Sequence, residues 1–170
     1  PGIFIDQAAR IAAAFGGRTV FAGAVGDDAF GTVLLQRLTA DGVDPGLIGV
    51  VDGVPTGTAF VSYNSDGSRD FVFNIAHSAA AHLPDVAEIE AGFLAAGINA
   101  LHISGTTLGD PGMRASAVDL CERLHKRAVA ISIDPNIRTE LMSDHGYLTA
   151  VRQIMALASY VLPSDADADL

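Results

Sequence analysis

Apolar residues recur at helical spacing from the start of the chain. Phe4, Ala8, Ile11, Ala12 and Phe15 share one face of a helix over 4–15, and Gly16-Gly17 supplies its stop. Thr19 to Val25 then reads as a buried strand. Asp27 or Asp28 caps a second helix whose apolar face is Phe30, Val33, Leu34 and Leu38, with Gly42 just past its end. A further strand is expected over 46–51. Between Ala59 and Asn74 the period falls to two, and the turn-rich run Asn64-Ser65-Asp66-Gly67-Ser68 divides this stretch into a β-hairpin or ribbon. Its Phe71 and Phe73 fall on one face and Val72 on the other, as in a sheet covered on one side and partly on the second.

After Pro84 strands alternate with helices. Helices are expected over 86–96, 112–127 and 148–158, and strands over 100–104, 129–133 and 160–162. Right-handed βαβ crossovers make successive strands parallel and put helices over both faces, so this half predicts an α/β fold with a Rossmann-like parallel sheet. No internal repeat or low-complexity linker interrupts it.

With 170 residues, 49% hydrophobic and 18% charged, the chain has enough apolar material for one well-buried domain and too little length for two. The net charge of -10 disfavours non-specific attraction to nucleic acid or anionic membrane, and so favours a small-molecule partner. The single cysteine, Cys121, falls in a helical apolar pattern and reads as a buried free thiol. No apolar run approaches the roughly eighteen residues that would span a bilayer, and no signal-peptide pattern opens the chain. A soluble, cytoplasmic protein is expected. Pro1 at the start and the acidic Asp165–Leu170 at the close read as internal positions of a longer protein.

Open parallel sheets bind ligands beyond the carboxyl ends of their strands. Three such ends are polar here: Ser104-Gly105-Thr106-Thr107, Asp134-Pro135-Asn136-Ile137-Arg138 and Pro163-Ser164-Asp165-Ala166-Asp167. Hydroxyls, carboxylates, an amide and a guanidinium gathered on one edge suit a polyhydroxylated substrate and a phosphate donor. Rival chemistries lack their motifs. Gly26-Asp27-Asp28-Ala29-Phe30-Gly31 is not G-x-G-x-x-G, and its two carboxylates would repel a pyrophosphate. There is no G-x-x-x-x-G-K-[ST], no H-E-x-x-H among the five histidines and no G-x-S-x-G.

Taken in order, the Pro1-Gly2 run into a helix, Val25-Gly26-Asp27-Asp28-Ala29-Phe30-Gly31, Pro55-Thr56-Gly57, Asp134-Pro135-Asn136-Ile137-Arg138 and Leu162-Pro163-Ser164 with acids after it resemble the PfkB (ribokinase-like) carbohydrate kinases. The ketodeoxygluconate, fructose and tagatose kinases are the nearest in flavour. This resemblance implies a three-layer sandwich with a parallel central sheet, closed by a small β lid formed by a ribbon over about 56–76. It also implies ATP and Mg²⁺ as cofactors, a sugar substrate, and a homodimer formed through the lid. Residues placed near the sugar by the resemblance are Gly2, Asn74, His77, Asp134, Asn136 and Arg138. Asp6 stands in for a family asparagine whose position is taken by Ile3. Ser164 and Asp167 match a family Asn-x-x-Glu that serves phosphate and metal. The general base and the anion-hole turn Gly-Ala-Gly-Asp are expected beyond Leu170, with the ATP-binding part of the domain. A nucleoside kinase and a non-catalytic sugar-binding relative are the alternatives.

Plainer roles stand beside these. Gly26–Gly31 reads as a turn with a helix cap, and Asp134 and Asn136 also fit an Asx turn around Pro135. Arg138 has Glu140 as an alternative partner. Asn74 and His77 suit a solvated hairpin end, and Phe71 and Phe73 suit lid packing or a subunit contact. His102 reads as a hydrogen-bonded core histidine ahead of a proton shuttle.

Overall fold

The computed structural model describes residues 4–67, 69–75, 77–137 and 141–168; the side chains of 4–8, 69, 71, 73, 166 and 168 lie outside the described set. The chain divides into two compact units, Pro1–Pro84 and Asp85–Leu170.

The first unit begins with α1 (Phe4–Ala14), β1 (Thr19–Gly26), α2 (Ala29–Ala40) and β2 (Val43–Val51). β1 and β2 run parallel, Thr19 opposite Val43 and Gly26 opposite Val51, with α2 as the crossover. The strand over 46–51 therefore starts earlier than its sequence announces. Pro45-Gly46 disguises the start, and the register slip between Val20 and Ala22 absorbs them as a bulge. Asp28 caps α2 by accepting a hydrogen bond from the Gly31 amide at 2.8 Å, and Gly42 leaves the helix at φ +81°. The apolar face expected on α2 is only half buried. Leu38 is buried, whereas Phe30 and Val33 are 61% and 62% exposed, and Ile11 and Phe15, on and after α1, are exposed too. Spacing places residues on a face; the partner that covers the face is a separate matter. Asp41 at the end of α2 receives both Arg37 and Arg10, which ties α1 to the α2 terminus.

The ribbon expected between Ala59 and Asn74 is β3 (Thr58–Tyr63) paired antiparallel with β4 (Arg69–Asn74), Thr58 opposite Asn74 and Tyr63 opposite Arg69. A 3-10 turn, Ala79–Ala81, follows it and packs on β1.

In the second unit α3 (Val86–Ala95), β5 (Ala100–Ser104), α4 (Pro111–Lys126), β6 (Ala130–Asp134), α5 (His145–Leu157), β7 (Tyr160–Val161) and α6 (Asp165–Ala168) follow one another, with a 3-10 segment at Gly105–Gly109. The strands form a parallel sheet in the order β5-β6-β7. Period-two alternation on β5 and β6 turns Leu101, Ile103, Ile131 and Ile133 inward, where α4 and α5 supply Leu120, Cys121, Leu124, Tyr147, Val151 and Ile154. This is the main core among the described residues, and it holds the strand ends in place. Asp110 and Asp144 cap α4 and α5 by accepting backbone hydrogen bonds from Met113 and from Gly146 and Tyr147.

Ile131 is fully buried in the middle of the central strand of this sheet. Ile131→Ala should lower the unfolding free energy measured by urea denaturation by about 2–5 kcal/mol, since it leaves a cavity that packed neighbours fill only in part. The half-exposed Ser132 beside it should tolerate Ala at roughly 1 kcal/mol or less.

Candidate functional site at the strand ends

The parallel register sets Ser104 opposite Asp134, so β5 and β6 end side by side. Leu162 donates its amide to the Ile133 carbonyl at 2.8 Å, which carries the pairing to the end of β7. All three polar strand ends thus share one edge of the second unit.

The chain after β6 turns sharply. Asp134 accepts the Asn136 amide at 3.0 Å in an Asx turn around Pro135, and Asn136 takes φ +38°, a left-handed conformation that asparagine tolerates better than most residues. The Asn136 side-chain amide donates to Ser104 Oγ at 3.4 Å, and Ser104 Oγ shares a 3.0 Å hydrogen bond with Thr106 Oγ1. Gly105 permits the approach. A Cβ there would stand 2.7 Å from the Pro135 carbonyl carbon and closer still to its oxygen. The Asx-turn role of Asp134 and Asn136 is therefore real, and it presents hydroxyls and an amide together on the edge.

Asp167 joins the other two loops. One carboxylate oxygen accepts the Ile137 amide at 2.6 Å; the second accepts the Ser164 amide at 2.8 Å and the Ser164 hydroxyl at 2.5 Å. The loop after β6 and the loop after β7 are thus fastened to one side chain. Among the described residues no group of three or more His, Cys, Asp or Glu side chains is arranged to hold a metal ion.

The segment after β5 is braced from behind. Arg114 donates to the carbonyls of Leu108 and Gly109 and pairs with Asp144 at 2.5 Å. The Arg114 hydrogen bond holds the Asp144 carboxyl below its ordinary range. The guanidinium is thus already engaged where it borders a shallow cavity of about 400 Å³, lined by Pro111, His145 and Gln153 among others.

Two expected site residues, Asn74 and His77, belong to the first unit. Both are exposed and sit at the root of the ribbon, away from its Asn64–Gly67 tip. Asp6 lies on α1, and its side chain, like Gly2, Ile3, Arg138 and Glu140, falls outside the described residues, as do the side chains of Phe71 and Phe73. His102 is corrected by the structure. It alternates with Leu101 and Ile103 on the uncovered face of β5, so it is exposed, and its Nδ1 lies 3.1 Å from Ser132 Oγ. Desolvation by the surrounding strands still pushes its pKa below the ordinary value, with the Asp134 charge acting in the opposite direction. Cys121 is buried as expected, and burial, helped by the Glu122 charge, pushes its thiol up to about 12, which leaves it unreactive.

The sequence motifs gave no role to Thr56, and the structure does. This buried threonine accepts the Gly26 amide at 2.9 Å and donates its hydroxyl to Asp28 at 2.7 Å, while its own amide donates to the other Asp28 oxygen at 2.7 Å. These backbone and side-chain hydrogen bonds, from Thr56 first and then Gly31, hold the Asp28 carboxyl below its ordinary range. The signal was present as Pro55-Thr56-Gly57, but a contact across about thirty residues has no periodicity to reveal it.

The family model of pfkB family carbohydrate kinases matches residues 8–170. Curated relatives include a probable fructokinase-3 of Arabidopsis thaliana, 32% identical over 154 residues (89% of this chain, 44% of the relative), and a fructokinase of Escherichia coli, 31% identical over 158 residues (91% and 50%). The chain spans about half the length of these relatives. Among solved structures, a putative ribokinase II from E. coli in its apo form superposes with a TM-score of 0.84 at 32% identity, covering 96% of this chain and 50% of that one. The complex described as the same putative kinase with ATP and Mg²⁺ gives 0.80 at 31% identity, with 98% and 55% covered. The fold is ribokinase-like, of the α/β class with parallel strands and helices.

Hydrogen bonds to a charged group contribute about 1.5–3 kcal/mol. Asp167→Ala should therefore speed amide exchange at Ile137 and Ser164 by roughly tenfold or more, at about 1.4 kcal/mol per decade, as measured by NMR hydrogen exchange. Exchange in β5 should stay as it was.

Proposed function

The chain belongs to the pfkB family of carbohydrate kinases, and from that membership we propose that the whole protein transfers the γ-phosphoryl group of ATP to a hydroxyl of a small sugar or keto-sugar acid. The observation that carries this reading is the gathering of Ser104, Thr106, Asp134, Asn136, Ser164 and Asp167 on the carboxyl edge of one parallel sheet. A polyol needs many directional donors and acceptors, and such an edge offers hydroxyls, an amide and carboxylates on backbone that short turns hold rigid.

In this reading Asn136, Asp134 and Arg138 orient the sugar, assisted by Asn74 and His77 at the root of the ribbon and by Gly2 and Asp6 near the start of the chain. Ser164 and Asp167 stand on the phosphate side, Asp167 acting through the loops it fastens. ATP with Mg²⁺ supplies the transferable phosphoryl group and the charge neutralisation that phosphoryl transfer needs. Support for the nucleotide comes from the related kinase solved with ATP and Mg²⁺, and support for a ketose comes from the fructokinases among the relatives. We place the general base and anion hole in the part of the relatives that this chain does not match. Closure of the β3–β4 ribbon over the sugar would exclude the water that competes for the phosphoryl group.

The full-length protein, given ATP, Mg²⁺ and in turn fructose, tagatose, ribose and ketodeoxygluconate, should release ADP in proportion to at least one of these sugars. ATP hydrolysis that no sugar stimulates would contradict the reading. Arg138→Ala should raise KM by roughly tenfold or more for an acid sugar alone if the guanidinium reads a carboxylate, and uniformly across neutral sugars if it serves phosphate.

A further inference from the structure

The β3–β4 ribbon joins the rest of the first unit through two short roots: Pro55–Gly57 leads into β3, and among the described residues Ile75 and 77–81 follow β4. Each root is tied, and the ties converge. On the first root Thr56, 5% exposed, places both its amide and its hydroxyl on the Asp28 carboxylate and receives the Gly26 amide, as described above. Asp28 is also the cap of α2, so the ribbon root and the helix start share one carboxylate.

On the second root Ser78, 1% exposed, donates its hydroxyl to the Ile75 carbonyl at 2.7 Å and caps the Ala79–Ala81 turn through the Ala80 amide at 3.2 Å. The Ala79 amide then crosses to the Pro55 carbonyl at 2.8 Å and joins the two roots. Gly57 lies so close that a Cβ would meet Ala80 Cβ at 2.8 Å and Ser78 Oγ at 2.9 Å. Gly26 is equally crowded, with a Cβ there 2.6 Å from the Thr56 amide. The ribbon strands beyond these roots are exposed: Phe60 and Val72 are 59% and 60% accessible and Tyr63 is 75%. A two-stranded ribbon of that kind is marginal alone, so its direction has to be set where it joins the body.

We propose that Thr56 is a positioning residue that, through Asp28, sets the resting direction of the β3–β4 ribbon and so pre-organises it for the sugar. The inference rests on the proposed lid role of the ribbon, and it goes beyond that role by naming what aims the lid. The Thr56 hydroxyl links the end of β1, the α2 cap and the ribbon root. Removing it frees the Gly26 amide and removes one of the hydrogen bonds on the Asp28 carboxylate without altering any ribbon residue. If the aimed conformation becomes a minor one, the apparent affinity for sugar falls by the fraction that remains competent, while saturating sugar recovers the closed form. The expected kinetic signature is therefore a rise in KM with kcat nearly held.

The test compares Thr56→Val, which keeps the shape and loses the hydroxyl, with Thr56→Ser, which restores it, in the full-length protein. Hydrogen exchange of peptides covering 58–75 should accelerate by about tenfold in Thr56→Val, stay within about twofold of the parent in Thr56→Ser, and leave peptides from β5 and β6 unchanged in both. KM for the preferred sugar should rise by about tenfold in Thr56→Val, with kcat within about twofold. Unchanged exchange in 58–75, or acceleration spread evenly over the whole chain, would overturn the proposal, and so would a Thr56→Ser variant as impaired as Thr56→Val. If Thr56→Val does not fold, Asp28→Asn takes its place. Asparagine caps helices as well as aspartate does but sets an amide against the Thr56 amide, so the same local acceleration is expected and its absence is equally decisive. A parent protein that phosphorylates no sugar would remove the kinase reading alone, because the exchange comparison decides the Thr56 clamp without any turnover.

Discussion

Parallel pairing of β5, β6 and β7 is the constraint from which the site follows. When Ser104 stands opposite Asp134 and the Leu162 amide closes on Ile133, the segments that leave the three strands have to emerge on the same edge. Buried isoleucines on β5 and β6, packed under α4 and α5, fix that register, since a one-residue slip would turn each of them outward. The chemistry of the edge is then local. Asp134 bends the chain around Pro135, Gly105 lets the neighbouring loop approach the Pro135 carbonyl, and Asp167 draws the loops after β6 and β7 onto one carboxylate.

Much of this was legible in the residues. The apolar strands alternating with helices after Pro84, the aspartate ahead of α2 and the Asn64–Gly67 turn of the ribbon announce their elements through rules that act within a few residues. Boundaries moved by a few residues, as at β2, where a bulge accommodates Pro45-Gly46. What stayed hidden depends on partners far along the chain. Thr56 reaches Asp28 across 28 residues and Asp167 reaches Ile137 across 30, and neither spacing leaves a local pattern. The exposure of His102, Phe30 and Val33 was hidden for a related reason. Apolar spacing or a strand context assigns a face, but it does not say whether another element lies over it.

Several polar groups that resemblance ties to ligands prove to have structural partners as well. Asp134 closes an Asx turn, and Ser164 and Asp167 hold each other. Such double use suits a phosphoryl-transfer site, where catalysis consists mainly of positioning and charge stabilisation and where loops that hold their shape lose less free energy when they bind. Arg114 shows the same economy at one remove. Its guanidinium braces the loop after β5 against the α5 cap.

The most direct test of the shared edge is a crystal structure of the full-length protein with a ketose and a non-hydrolysable ATP analogue. The sugar oxygens should lie within hydrogen-bonding reach of Asp134 and Asn136, with the phosphates toward the Ser164 loop. A sugar bound at the amino ends of β5–β7, or in the cavity beside Arg114, would contradict the account.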